Sequence, residues 1–218
     1  MTDLFRWIWN YVISFFRSSK EYVDELVEDY QQAREEEKEE EYIPILMERL
    51  SPHHNRRPEG SRINGIIIHA AGEKIDGMPA VEFMEKHRLS YHAIISPDGL
   101  VTITARSSQR AWHAGISRWE GQTNLNDTYL GYCLLVPGSY TGATWGKFLE
   151  AMDDPRTYTK EQYKSLAWMC RNALKSHSGI AQERIIRHSD VSGKDVRPDF
   201  KSDPGKGFNM NRLKDLID

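Results

Sequence analysis

The chain has 218 residues, 39% hydrophobic and 28% charged, which suffices for one well-buried domain plus an appendage and is too little for two full domains. Its formal charge of -3 is uneven: residues 1–60 carry 8 Lys and Arg against 14 Asp and Glu, and the remainder 21 against 18, so an acidic front precedes a slightly basic body. That excess is too small for a nucleic-acid-binding face, and two cysteines, Cys133 and Cys170, argue against a disulfide framework and fit synthesis in a reducing cytosol.

The N-terminal apolar stretch Leu4 to Phe16 has no secretory signal of ordinary form, because Asp3 and Arg6 interrupt its start and no small-residue cleavage site follows. As a helix it reaches about 20 Å, short of the roughly 30 Å hydrocarbon core of a bilayer. Helical spacing from Leu4 to Lys20 gathers Arg6, Asn10, Ser14 and Arg17 on one narrow stripe and leaves Trp7, Trp9, Phe15 and Phe16 on a broad apolar surface. The pattern thins after Glu21 and ends in the acidic run Glu35 to Glu41. Residues 1–41 thus read as a helical arm whose aromatic face requires a cover: a membrane interface, a virion or sister-chain assembly, or the chain's own domain. Pro44, Pro52, Pro58 and Gly60 mark residues 42–61 as an irregular linker.

Residues 62–218 read as the domain proper. Ile63 to Ile68 is a buried strand, and Ala80 to His87 a short helix. Tyr91 to Ser96 and Leu100 to Ala105 form a hairpin about the turn Pro97-Asp98-Gly99. Tyr129 to Val136 is a strand, followed by a loop-rich insertion, Gly138 to Arg156, with a short helix around Phe148. Thr159 and Gln162 form a capping box for a helix carrying Tyr163, Leu166, Ala167, Cys170, Ala173 and Leu174 on one face, with Gly179 just beyond its end. Arg184 to His188 is the last strand, and Met210 to Ile217 a terminal helix. The order predicts an α/β domain, a mixed central sheet flanked by helices.

His69 and His188 each stand at the end of a buried apolar run, where a strand holds a side chain rigidly. Two neutral imidazoles and a carboxylate leave an open position on a catalytic zinc, and Asp203, on the tight turn Ser202-Asp203-Pro204-Gly205, is the third candidate ligand. A histidine after an apolar run also reads as a satisfied core residue, and spacing alone leaves both readings open. His92, one residue from Tyr91, falls on the opposite face of a strand and reads as structural; His53, His54, His87 and His177 read as surface residues, and Cys133 and Cys170 as buried thiols.

Six segments in order, Ile66-Ile67-Ile68-His69, Tyr91-His92-Ala93-Ile94-Ile95, Pro97-Asp98-Gly99, Trp112-His113-Ala114-Gly115, Arg187-His188-Ser189-Asp190 and Lys201-Ser202-Asp203-Pro204-Gly205, resemble the signatures of type 2 N-acetylmuramoyl-L-alanine amidases, the family of phage endolysins and peptidoglycan recognition proteins. The resemblance covers residues 62–218. It implies a zinc-dependent hydrolase cleaving the amide between N-acetylmuramic acid and L-alanine in peptidoglycan, with His69, His188 and Asp203 as zinc ligands. Many members carry a catalytic Glu where this chain has Cys133, and a neutral buried thiol is a poor carboxylate substitute. Asn126, Gly131, Cys133 and Leu134, with Tyr158 to Gln162, are similar to a short phage branch that is active with Cys there. That branch relies on a Tyr and a Lys, matched by Tyr91 and Lys201. Trp112 and His113 read as substrate-groove residues, with a structural role for His113 equally open, and the resemblance implies a phage lysin made in the bacterial cytoplasm and acting at the cell wall, with a virion-borne lysin or a bacterial enzyme as alternatives. The segment from His188 to Asp203 is longer than the family usually allows, which leaves Asp190, Asp195 and Asp199 as alternative ligands. The competing functions are a non-catalytic peptidoglycan-binding module and an amidase-fold regulator of a host protein.

Overall fold

The computed structural model describes residues 42–218, and residues 43–218 form one unit. The arm reading, with its membrane, virion or sister-chain contacts, lies outside the described residues. Eleven strands are present in this region: β1 (Leu46–Glu48), β2 (His54–Arg56), β3 (Gly65–Ile75), β4 (Met78–Pro79), β5 (Ala93–Ile95), β6 (Val101–Ile103), β7 (Gln109–Ala111), β8 (Arg118–Trp119), β9 (Gln122–Thr123), β10 (Tyr129–Tyr140) and β11 (Ile185–Arg187). The α-helices are α1 (Ala80–Lys86), α2 (Trp145–Asp153), α3 (Lys160–Ser176), α4 (His188–Val191) and α5 (Met210–Ile217).

The main sheet runs β1-β6-β5-β10-β3-β11, with β4 paired to β3. Its centre is parallel, since β10 lies between β3 and β5 and β11 adds to β3, while β5 and β6 form the expected antiparallel hairpin. The mixed α/β architecture is therefore as the element order predicts. Buried on both faces, β3 and β10 are near-continuous apolar runs rather than alternating ones.

Alternation along β3 still divides the molecule into two sides. Ile66, Ile68 and Ala70 join Leu130, Tyr132 and Leu134 under α3 and α5, whose Tyr163, Leu166, Cys170 and Leu213 complete the larger core. Each such aliphatic side chain taken out of water contributes about 1.5–3 kcal/mol before the entropy of ordering it. Helix α3 starts where its capping box demands, with Thr159 Oγ1 accepting from the Gln162 amide at 3.0 Å and Gln162 Oε1 accepting from the Thr159 amide at 3.2 Å. The Gln162 side-chain amide then donates to the carbonyls of Ile95 and Leu135, tying the helix start to the sheet. The opposite face carries two smaller clusters, Ala71, Met84, Tyr91, Ile94 and Cys133 under α1, and Ile67, Ala114, Leu125, Ile186 and Val191 under the 113–127 loops and α4. His69 points to this face between them.

Three expectations change. The segment 42–61, read as a linker, belongs to the domain from Ile43: β1 pairs in parallel with β6 at the sheet edge and β2 pairs with β7, because short edge strands form through partners distant in sequence that no local pattern reveals. The strand expected from Tyr91 starts at Ala93, so Tyr91 and His92 precede the alternation and both rings lie against His113, at 6.4 and 5.7 Å between centroids. Helix α3 ends at Ser176 with His177 extended, so the helix expected to end just before Gly179 stops three residues before it; glycine is needed at 179 because a Cβ would lie 2.6 Å from the Ile63 carbonyl oxygen.

Candidate active site

His69 sits at the fifth position of β3 with no solvent exposure, and His188 is the first residue of α4, immediately after β11. Strands β3 and β11 are parallel neighbours with Arg187 opposite Ile68, so the next residues, His188 after the end of β11 and His69 in the middle of β3, stand side by side with imidazole centroids 4.3 Å apart. Asp203 returns to them through two backbone hydrogen bonds, from the Lys201 amide to the Ser192 carbonyl at 2.9 Å and from the Ser189 amide to the Asp203 carbonyl at 3.0 Å. Its carboxylate lies 3.0 and 3.2 Å from His188 Nδ1 and 3.3 Å from His69 Nδ1, and it accepts from the Ala70 amide at 3.3 Å. One ligand atom from each of these three residues falls within 4.8 Å of the other two.

The alternative carboxylates are engaged elsewhere. Asp190 accepts from the Arg187 amide, Asp195 pairs with Arg118 at 3.0 Å, and Asp199 pairs with Arg197. The long segment between His188 and Asp203 is an outward excursion that leaves its closing turn in place.

The outer nitrogens of both histidines are occupied. His69 Nε2 faces His113 Nδ1 at 3.0 Å, and His188 Nε2 faces the Ala114 carbonyl at 3.3 Å. A carbonyl accepts only, so with a cation held between Nδ1 and Asp203 the His188 ring would keep its proton on Nε2 and offer Nδ1 as a ligand. His69 Nδ1 is buried without a hydrogen-bond partner, although a carboxylate oxygen lies near, and an orphaned buried nitrogen beside a carboxylate and a second imidazole lone pair is what a cation-binding site requires. Burial, and then the charge on His188, lower the His69 pKa to about 4, so the ring is neutral at pH 7 and available as a donor. Burial opposes ionisation of Asp203, but the neighbouring His188 and His69 outweigh it and hold the carboxyl well below the usual range.

A cleft of about 540 Å³ opens over these residues. Tyr91 and Lys201 line it, as does His113. Tyr91 packs edge-on against His69 at 4.9 Å, and burial, then Cys133 and Asp203, push its hydroxyl pKa well up. Cys133 stands next to His69 in the β10–β3 register, and burial, then Asp203, raise its thiol well above the ordinary range, so it holds its proton.

The two substrate-contact expectations fare differently. His113, 6% exposed, lines the cleft as the groove reading expects, and its Nδ1 also faces His69 Nε2 at 3.0 Å. Trp112 does not line the cleft: its indole donates to Asn55 Oδ1 at 2.8 Å and packs on His53, because β2, unforeseen in the sequence, lies beside it. Sequence reasoning missed the cleft's apolar rim, Phe83, Leu89, Trp145, Leu149 and Phe200, of which the last four are exposed large hydrophobics. At Gly131 any Cβ would lie 2.4 Å from the His113 ring, so glycine is what lets that histidine reach His69.

His92 is structural, as expected. The Gly131 amide donates to its Nδ1 at 2.9 Å and its Nε2 donates to the Gln109 carbonyl at 3.1 Å, a pattern only the neutral ring satisfies. Burial and then the adjacent Arg57 lower its pKa to about 3. The unfolded chain takes up this proton below about pH 6.5 and the folded chain does not, so stability falls as pH drops from about 6.5 towards 3, by up to about 1.4 kcal/mol per unit for a fully buried ring. Urea unfolding between pH 7 and 4.5 should show this slope, and His92→Gln should flatten it; equal slopes in the two proteins would assign the acid sensitivity to other groups.

The family model for N-acetylmuramoyl-L-alanine amidases matches residues 59–206. The 1,6-anhydro-N-acetylmuramyl-L-alanine amidase AmpD of Haemophilus influenzae is 28% identical over 180 residues, covering 74% of this chain and 86% of that protein. A crystal structure of an AmpD selenomethionine derivative superposes with a TM-score of 0.61 at 24% identity, over 83% of this chain and 98% of that one. The amidase AmiD of E. coli, solved in complex with the substrate anhydro-N-acetylmuramic acid-L-Ala-D-gamma-Glu-L-Lys, superposes with a TM-score of 0.51 at 19% identity, over 74% of this chain and 60% of that one.

Proposed function

Because the chain belongs to the N-acetylmuramoyl-L-alanine amidase family, we propose that it hydrolyses the amide joining N-acetylmuramic acid to L-alanine in peptidoglycan or its fragments, with a zinc ion held by His69, His188 and Asp203. The observation that carries this reading is the convergence of two Nδ1 atoms and a carboxylate beside the cleft that His188 and Asp203 line, one of those nitrogens buried and without a hydrogen-bond partner. Both relatives named for their substrate act on the same muramyl–alanine linkage. A zinc ion there supplies a Lewis acid and brings the pKa of bound water towards about 7.

The protein's own groups divide the remaining work. His113 and the Ala114 carbonyl fix the two ligand rings through their outer nitrogens. Lys201, on the cleft wall two residues from Asp203, brings a positive charge to the carbonyl oxygen that becomes negative as the amide is attacked. Tyr91 keeps its Oη proton throughout the neutral range and orients the attacking water or serves the departing alanine nitrogen. Cys133 takes no part as a base, since its buried thiol stays protonated. The rim of Phe83, Leu89, Trp145, Leu149 and Phe200 shields the reacting amide from bulk water. The resemblance to the short phage branch, through Cys133, Tyr91 and Lys201, supports a lysin acting at the cell wall.

The purified protein should release a free alanine amino terminus and a muramyl carboxylate from peptidoglycan, identified by product mass, and should lose this activity on chelation and regain it with zinc. Products ending in reducing sugars or cleaved peptide bonds, or turnover that survives chelation with no metal in the protein, would overturn the reading.

A further inference from the structure

We propose that Asn126 is the positioning residue for both histidines of the metal site, acting through the adjacent residues His113 and Ala114. This rests on the reading that His69, His188 and Asp203 hold zinc. The Asn126 side-chain oxygen accepts from the His113 amide at 3.1 Å and from the Ala114 amide at 2.8 Å, using both of its lone pairs. Each of those two residues in turn meets one ligand ring. His113 presents Nδ1 to His69 Nε2 at 3.0 Å, and Ala114 presents its carbonyl to His188 Nε2 at 3.3 Å. One buried side chain thereby fixes the partners of two imidazoles, one on β3 and one at the start of α4.

Asn126 is itself anchored. Its backbone carbonyl accepts from the Arg57 guanidinium at 2.9 Å, and the same guanidinium donates to the carbonyls of Asp127 at 2.8 Å and Ser107 at 3.1 Å. The series runs from Arg57 to the turn at 125–127, to residues 113–114, and to the outer nitrogens of the two ligands. An imidazole ligand is aimed by whatever its second nitrogen bonds, and metal–ligand distances tolerate only about 0.2 Å of error. A displacement of residues 113–114 therefore reaches both rings together, whereas loss of either outer partner alone would reach one.

The test uses the full chain and zinc or cobalt as probes. Zinc affinity is measured by competition with a chromophoric chelator, the coordination geometry by the visible spectrum of the cobalt-loaded protein, and the fold by circular dichroism of the metal-free form. Asn126→Leu, which fills the space without an acceptor, should keep the fold, weaken zinc binding by about 10- to 100-fold and alter the cobalt spectrum; Asn126→Asp, which restores the acceptor, should recover both. Asn126→Ala is the milder replacement should Leu not be accommodated. Wild-type affinity and an unchanged spectrum in either folded variant would overturn the proposal, as would failure of both to fold, which would make Asn126 a requirement of the fold alone. A wild-type protein that takes up no zinc overturns the metal reading itself, and that result is visible before any variant is made.

Discussion

Replacing Asp203 by Ala should leave a folded protein that retains no zinc and turns over at background. Its carboxylate is the one negative charge among the three converging groups, and it lies within 3.3 Å of both Nδ1 atoms. Two neutral imidazoles left alone cannot balance a dication in a buried site. The loss in affinity should exceed the tenfold to hundredfold that accompanies removal of an outer-shell partner. Metal content after dialysis, read beside circular dichroism, measures it. Asp199→Ala is the control, because Asp199 spends its charge on Arg197 at the rim of the cleft. If Asp203→Ala keeps one zinc per chain, or Asp199→Ala loses it, the ligand set is wrong.

Lys201→Ala should show the reverse combination, normal zinc content with turnover reduced by about a hundredfold to a thousandfold, the scale on which deletion of one contact to a developing oxyanion is felt. Lys201 lines the cleft, and its backbone amide is pinned to the Ser192 carbonyl at 2.9 Å, so shortening its side chain leaves the turn that carries Asp203 in place. The contact is stronger in the transition state than in the bound substrate, so the loss should fall on kcat with KM little changed. Turnover within a few-fold of wild type would make Lys201 a solvated surface charge.

Where the chemistry is local, the sequence was sufficient. The hairpin about Pro97-Asp98-Gly99 forms because Gly99 can take its φ of 87°, α3 starts at its capping box, and α5 spans the stretch its apolar spacing marks. His69 and His188 follow apolar runs that read as buried strands and are strands here. Each of these outcomes depends on residues within a turn or a strand of one another, and the propensities that decide them act over that range.

What only the tertiary structure decided depends on partners far apart in the chain. Among the four aspartates from Asp190 to Asp203, the backbone bond from Ser189 to Asp203 selects the one that returns to the histidines, while Arg187, Arg118 and Arg197 take the others. His113 meets a ligand ring as well as the cleft because Gly131, on a strand threaded between β3 and β5, leaves room for its ring. Residues 46–48 and 54–56 became strands because β6 and β7 offered them unpaired edges. A backbone amide or an imidazole nitrogen finds whatever donor or acceptor the fold brings within about 3 Å, and which one that is depends on the packing of the whole sheet rather than on neighbours in sequence.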